Sequence, residues 1–105
     1  MTIEEVKELG WNLDGYWANR GLYSINEKFN FQLIEHNGDW GILDPYGKGF
    51  NPIYCNMSLD NIKKFTELVK LFEDMFDKPK EYTLFQYIET EINMKDFIKE
   101  MKDKS

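Results

Sequence analysis

The spacing of hydrophobic positions changes halfway along the chain. From Ser58 onward, apolar residues recur at steps of three and four, at Leu59, Ile62, Phe65, Val69, Phe72 and Phe76, which is the spacing of one helical face. Leu68, Leu71 and Met75 widen that face to the breadth expected of a helix lying on a sheet. Ser58 stands where an N-cap belongs, and Lys78-Pro79-Lys80 ends the pattern. Asn93-x-x-Asp96 predicts the start of a last helix, with Met94, Phe97, Ile98 and Met101 inward. The stretch between, Tyr82 to Ile92, carries two signals. Thr83-x-x-Gln86 is a capping-box pattern, whereas Tyr82-Thr83-Leu84-Phe85-Gln86-Tyr87-Ile88 also has the make-up of a buried strand. The capping pattern favours helix.

Ahead of Ser58 the pattern alternates. Asn37-Gly38 is the preferred pair for a two-residue type I′ turn, because both positions need positive φ. That turn pairs residues whose numbers sum to 75: His36 with Asp39, Glu35 with Trp40, Leu33 with Ile42. Phe29, Phe31, Leu33, Trp40 and Ile42 then share a core face, while Asn30, Gln32, Ile34 and Leu43 make a mostly polar one. Asp44-Pro45-Tyr46-Gly47 reads as a second turn, and Ile53 to Met57 as a returning strand. Leu22 to Ile25 is placed as an edge. At the N-terminus, Thr2-x-x-Glu5 is a capping box ahead of Ile3, Val6 and Leu9, and Gly10 is placed to end that helix. Trp11 to Gly21 reads as an aromatic loop. These elements predict an α+β fold in a single domain over residues 1–105. It comprises a short N-terminal helix, a small antiparallel β-sheet with its hairpin at Asn37-Gly38, and two or three C-terminal helices packed on the sheet.

Gly38-Asp39-Trp40-Gly41-Ile42-Leu43-Asp44-Pro45-Tyr46-Gly47, followed by Ile53-Tyr54, resembles one unit of the WG β-repeats. Those units run Trp-Gly, two apolar residues, Asp, then Gly. The resemblance covers one short stretch and does not recur. It implies a hairpin and no activity.

Composition narrows the classes of function. The chain has 105 residues, 42 % apolar and 30 % charged, with a mean hydropathy of −0.60, as expected of a water-soluble domain with one core. No window approaches the ~18–20 apolar residues of a membrane span, and the N-terminus lacks the basic end and apolar run of a signal peptide. The expected location is cytoplasmic, with no membrane partner. One cysteine, Cys55, excludes an internal disulfide, and one histidine makes a structural zinc site improbable. The net charge is −6, spread along the sequence, and twelve of the thirteen basic residues are lysine. Negative charge repels phosphate, so no direct nucleic-acid partner is expected. Abundant Lys, Asn, Ile, Phe and Tyr beside a single Ala match AT-rich codons, which points to a low-GC bacterium or one of its phages.

Candidate chemistry is sparse. Cys55 with His36 could form a nucleophile–base pair oriented by Asp39 or Asp44, but Cys55 sits among strand-like apolar residues, where cysteine behaves as a small hydrophobe. Gly47-Lys48-Gly49 could cradle a phosphate but lacks P-loop spacing. Acidic pairs such as Glu4/Glu8, Glu73/Asp77 and Glu89/Asp96 read as solvated helix faces, and Glu91/Lys95 as an i,i+4 pair. No cofactor or metal is expected, nor catalysis. Ten of the seventeen aromatics lie in residues 1–57, more than a small core readily encloses, and interfaces enrich Trp and Tyr. The expected function is therefore a non-enzymatic, acidic, protein-binding inhibitor from a phage or mobile element. It would block a basic nucleic-acid-processing enzyme, in the manner of anti-CRISPR and anti-restriction proteins. An immunity protein or antitoxin facing a toxin, or an accessory subunit forming a homodimer through its second-half helices, predicts the same composition. Trp17, Glu35, Asp39, Trp40, Asp44 and Tyr46 are the expected contact surface, although the pairing arithmetic puts Trp40 on the core face.

Overall fold

Thr2 opens the first helix, α1 (Ile3–Glu8), with a reciprocal capping box: its hydroxyl accepts from Glu5 N while Glu5 accepts from Thr2 N. Gly10 then takes φ +108, a conformation open to glycine, and turns the chain into the sheet. The computed structural model describes residues 2–25, 32–43, 52–54 and 56–104, with the side chains of Trp17, 52–54 and Lys104 outside that description. Phe29, Asn30, Phe31, the Asp44–Gly47 turn, Gly47-Lys48-Gly49 and Cys55 all lie outside the described residues.

Among the described residues, five strands form one antiparallel sheet in sequence order: β1 (Asn12–Trp17), β2 (Arg20–Ser24), β3 (Gln32–His36), β4 (Asp39–Leu43) and β5 (Pro52–Tyr54). The β3–β4 hairpin has the register expected from its Asn-Gly turn, with His36 opposite Asp39, Glu35 opposite Trp40 and Leu33 opposite Ile42. Asn37 and Gly38 take φ +50 and +83, as a type I′ turn demands. The segment expected to be an aromatic loop is instead β1, joined to β2 by a second tight hairpin. Its turn residues, Ala18 and Asn19, take φ +48 and +67. A turn of that kind without glycine leaves little trace in a sequence. β2 is accordingly an interior strand between β1 and β3, not an edge. β1 forms the edge, and its pairing with β2 slips between Leu13 and Gly15, a bulge of the kind that blunts edge strands.

Helix α2 (Leu59–Asp77) starts at Ser58, whose hydroxyl accepts from Asn61 N. Its residues Ile62, Phe65, Val69 and Phe72 join Val6, Trp11, Tyr23, Leu33, Trp40, Ile42 and Met57 in one apolar cluster. A 3-10 turn (Pro79–Glu81) follows, then helix α3 (Leu84–Lys104). Leu84 to Ile92 is thus helical, with Tyr82 and Thr83 ahead of the helix, and it runs without a break through Asn93, where a separate last helix was expected. Two C-terminal helices result. The architecture is α+β, with a short N-terminal helix, an antiparallel sheet and two C-terminal helices.

One aromatic column ties these layers together. Trp11 stacks on Phe65 at 5.9 Å between ring centroids, and Phe65 stacks on Phe97 of α3 at 5.6 Å. The Trp11 indole N–H donates to Thr66 Oγ1 at 2.8 Å, and that hydroxyl donates to the Ile62 carbonyl at 2.6 Å. Trp11 is therefore buried without an orphaned donor. The sheet's second face departs from the mostly polar expectation: Ile34 and Leu43 are buried there, apart from the main cluster. Asp14, Ser24 and Gln32 form a hydrogen-bonded polar row across β1, β2 and β3. Among the described residues, no helix is long and apolar enough to cross a membrane.

Candidate functional site

The turn between α2 and α3 fixes the start of the last helix unusually well. Thr83 and Gln86 form a reciprocal capping box, with Thr83 N donating to Gln86 Oε1 at 2.7 Å and Gln86 N donating to Thr83 Oγ1 at 3.2 Å. The Tyr82 hydroxyl donates to Asp74 of α2, whose carboxylate also pairs with Lys78 at 3.6 Å. The Tyr87 hydroxyl donates to the Met75 carbonyl at 2.5 Å, one of the α2 carbonyls left without a helical partner at its end. Tyr87 meets Phe76 and Tyr82 edge-on, each at 6.4 Å between ring centroids. The Tyr82 bond holds the Asp74 carboxyl below its ordinary pKa, with Lys78 adding to the effect. The Tyr82 phenol is pushed up by the same bond.

Helix α3 leaves this turn with apolar residues on two sides. Met94, Phe97, Ile98 and Met101 face the core, joined by the buried Thr90. Leu84 and Phe85 are each 75 % exposed, with Ile88 at 49 % and Ile92 at 52 %. At ~100° per residue these four fall within an arc of about 100°, roughly opposite the core-facing residues. Lys95 and Lys99 continue the same arc beyond Ile92, and Lys95 pairs with Glu91 at 3.0 Å. Phe76, expected on the buried face of α2, is 57 % exposed. It lies in the last turn of that helix, where it meets Tyr87 and Phe72. Leu71, also expected to widen the α2 core face, is exposed as well.

The residues expected to make the contact surface do not assemble into one. Trp40 is 2 % exposed and packs against Tyr23 at 5.1 Å between ring centroids, so it belongs to the core and not to the surface. Glu35 and Asp39 lie at the same end of the sheet, where the alternation of strand residues sends them to opposite faces, Glu35 with Trp40 and Asp39 with His36. Both carboxylates serve local structure. Glu35 accepts from Gly38 N at 2.9 Å, closing the hairpin turn, and Asp39 accepts from Asn56 N at 2.7 Å. The backbone of Trp17 reaches that same end, opposite Arg20; its side chain, Asp44 and Tyr46 lie outside the described residues.

Other chemistry is thin. His36 is exposed at the hairpin tip, 3.4 Å from the Asn37 side chain. Among the described residues no three His, Cys, Asp or Glu side chains converge as metal ligands would. An open cleft of about 280 Å³ runs between α2 and α3, lined by Lys64, Leu68, Asn93, Asp96, Phe97 and Glu100. Lys64 Nζ stands 5.8 Å from the Phe97 ring there. Among the described residues the strongest surface feature is the α3 stripe, which the sequence does not mark as a site because its pattern there is shared between helix and buried strand. Comparison with protein-family models, with curated protein sequences and with solved structures finds no match to this chain.

Proposed function

We propose that this chain is a non-enzymatic protein-binding protein, in the form of an acidic inhibitor that occupies a basic site on a nucleic-acid-processing enzyme. The observation that carries a protein-binding role is the α3 stripe. Leu84, Phe85, Ile88 and Ile92 stand half to three-quarters exposed on a helix whose start is pinned by hydrogen bonds to α2. Large apolar side chains held rigidly at the surface lose little conformational freedom on contact, which favours association. The surface charge supports the inhibitor form. Among the described residues most Asp and Glu are exposed and none is fully buried, so negative charge stands at the surface of a chain whose net charge is −6. A field of that sign attracts a basic groove and speeds encounter at low salt.

The test is capture on the immobilised protein from a low-GC bacterial lysate, followed by a nuclease or helicase assay of what salt releases. A captured nucleic-acid enzyme that is inhibited by added protein at low salt, and freed at ~0.5 M salt, is the expected result. Capture of no salt-sensitive nucleic-acid enzyme, or capture without inhibition, removes the inhibitor reading.

A further inference from the structure

We infer that the α3 stripe is a homodimer surface, covered by the same stripe of a second copy running antiparallel. The inference rests on reading the stripe as a protein contact, and it goes beyond the inhibitor reading by naming what covers that face. It leaves the acidic remainder of each chain free for another partner.

The argument begins with symmetry. A two-fold interface brings residue i against j and j against i, so a stripe that pairs with itself needs a self-complementary order. Centred on Ile88, an antiparallel pairing sets Ile88 against Ile88 of the second copy and Leu84 against its Ile92. Lys95, one turn past the end of the stripe, then passes the start of the second copy's α3, on the side of the 3-10 turn Pro79–Glu81. The macrodipoles of the two helices then oppose each other, which is favourable.

Charge distinguishes this occupant from a basic one. Residues 77–99 contain four lysines and five acids, so this stretch is close to neutral in a chain of net charge −6. A basic site is drawn to the acidic remainder of the chain more than to this face, whereas a copy of the same near-neutral stretch meets only slight repulsion.

Area points the same way. The exposed parts of Leu84, Phe85, Ile88 and Ile92 amount to on the order of 500 Å² per copy, within the range of the largest patch a soluble monomer leaves uncovered. Two copies together bury roughly 1,000 Å², which just reaches the size of a specific interface. The expected dimer is therefore of moderate affinity and concentration-dependent.

The experiment is sedimentation equilibrium of the full chain over a range of concentrations, with Phe85→Glu compared against it and far-UV circular dichroism confirming that both are folded. The wild type is expected to form dimers, and Phe85→Glu to weaken them by at least about 30-fold. In a Cys55→Ser background, Ile88→Cys should cross-link to itself on mild oxidation because it lies on the two-fold axis. Ile92→Cys alone should not, because its opposite number is Leu84. A wild type that stays monomeric at millimolar concentration overturns the inference while leaving the inhibitor reading intact. So does a dimer indifferent to Phe85→Glu, or one that cross-links equally at both positions. Loss of target capture with the dimer preserved removes the inhibitor reading alone.

Discussion

Replacing Thr66 by valine isolates one buried hydrogen bond at the centre of the fold. Valine has nearly the same shape, so the packing around α2 is retained, but it offers no acceptor to the Trp11 indole. That N–H now donates to Thr66 Oγ1 at 2.8 Å, and Trp11 is 0 % exposed, so water has no access to replace the bond. Leaving a buried donor unsatisfied costs about 1–3 kcal/mol. The Thr66 bond to the Ile62 carbonyl is also lost, but that oxygen keeps its helical N–H partner, so its share is small. The expected loss is about 2 kcal/mol, equivalent to a fall in Tm on the order of 10 °C for a domain of this size. Urea unfolding followed by circular dichroism measures it, since two further tryptophans complicate fluorescence. Trp11→Phe combined with Thr66→Val supplies the second half of the argument. Once the donor is gone, removing the acceptor should cost about 1 kcal/mol less than it does alone. A Thr66→Val protein within about 0.5 kcal/mol of wild type, or strictly additive changes, would refute the buried bond as a stabilising contact.

Two other predictions concern the turns. Tyr82→Phe should return the Asp74 carboxyl towards its ordinary pKa, since the tyrosine bond is the main cause of its lowering. A depressed carboxylate stabilises the fold above the unfolded-state pKa and loses that contribution as pH falls through the folded-state value. The stability gap between wild type and Tyr82→Phe should therefore narrow below about pH 4. Carbon-detected NMR titration of Asp74 decides it, and identical curves for the two proteins would count against the bond. At the hairpin, Gly38 takes φ +83 and a Cβ there would meet nothing within 4 Å. Gly38→Ala should therefore cost about 1–2 kcal/mol from backbone strain alone, and Gly38→Asn distinctly less. Equal stabilities by chemical denaturation would show that the turn has relaxed to another type.

Much of the fold was legible because single residues carried it. Asn37-Gly38 set a turn type, the turn type set the register, and the register placed Leu33, Trp40 and Ile42 on one face. Thr2, Ser58 and Thr83 cap the helices they were expected to cap. The misses have physical causes too. Ala18-Asn19 makes a positive-φ turn in which the first position is an alanine, a residue that seldom does so, which hid β1 among turn-forming neighbours. Strand alternation separates Glu35 from Asp39 and buries Trp40, so residues close in sequence do not make one surface. Ile34 and Leu43 were placed on a mostly polar face because one buried face was assumed, yet both faces of β3 and β4 carry buried residues.

The most instructive miss is α3, because its ambiguity in the sequence and its surface in the structure have one origin. A helix with a single apolar face shows a clear period of 3.6, and α2 does. In the first half of α3, core-directed Tyr87, Thr90 and Met94 interleave with outward Leu84, Phe85, Ile88 and Ile92. Two faces nearly opposite each other fill the gaps in each other's period, so the run reads as a continuous apolar segment and imitates a buried strand. The fold itself needs only one of those faces. Thr83, Gln86, Tyr82 and Tyr87 already fix where the helix begins and how it meets α2, and Met94, Phe97, Ile98 and Met101 anchor the remainder. The outward residues lie outside the core cluster and half to three-quarters of each is left to solvent, where polar side chains would serve an isolated soluble molecule better. The homodimer proposed above accounts for their presence, because an antiparallel copy of α3 would cover Leu84 with Ile92 and Ile88 with its own counterpart.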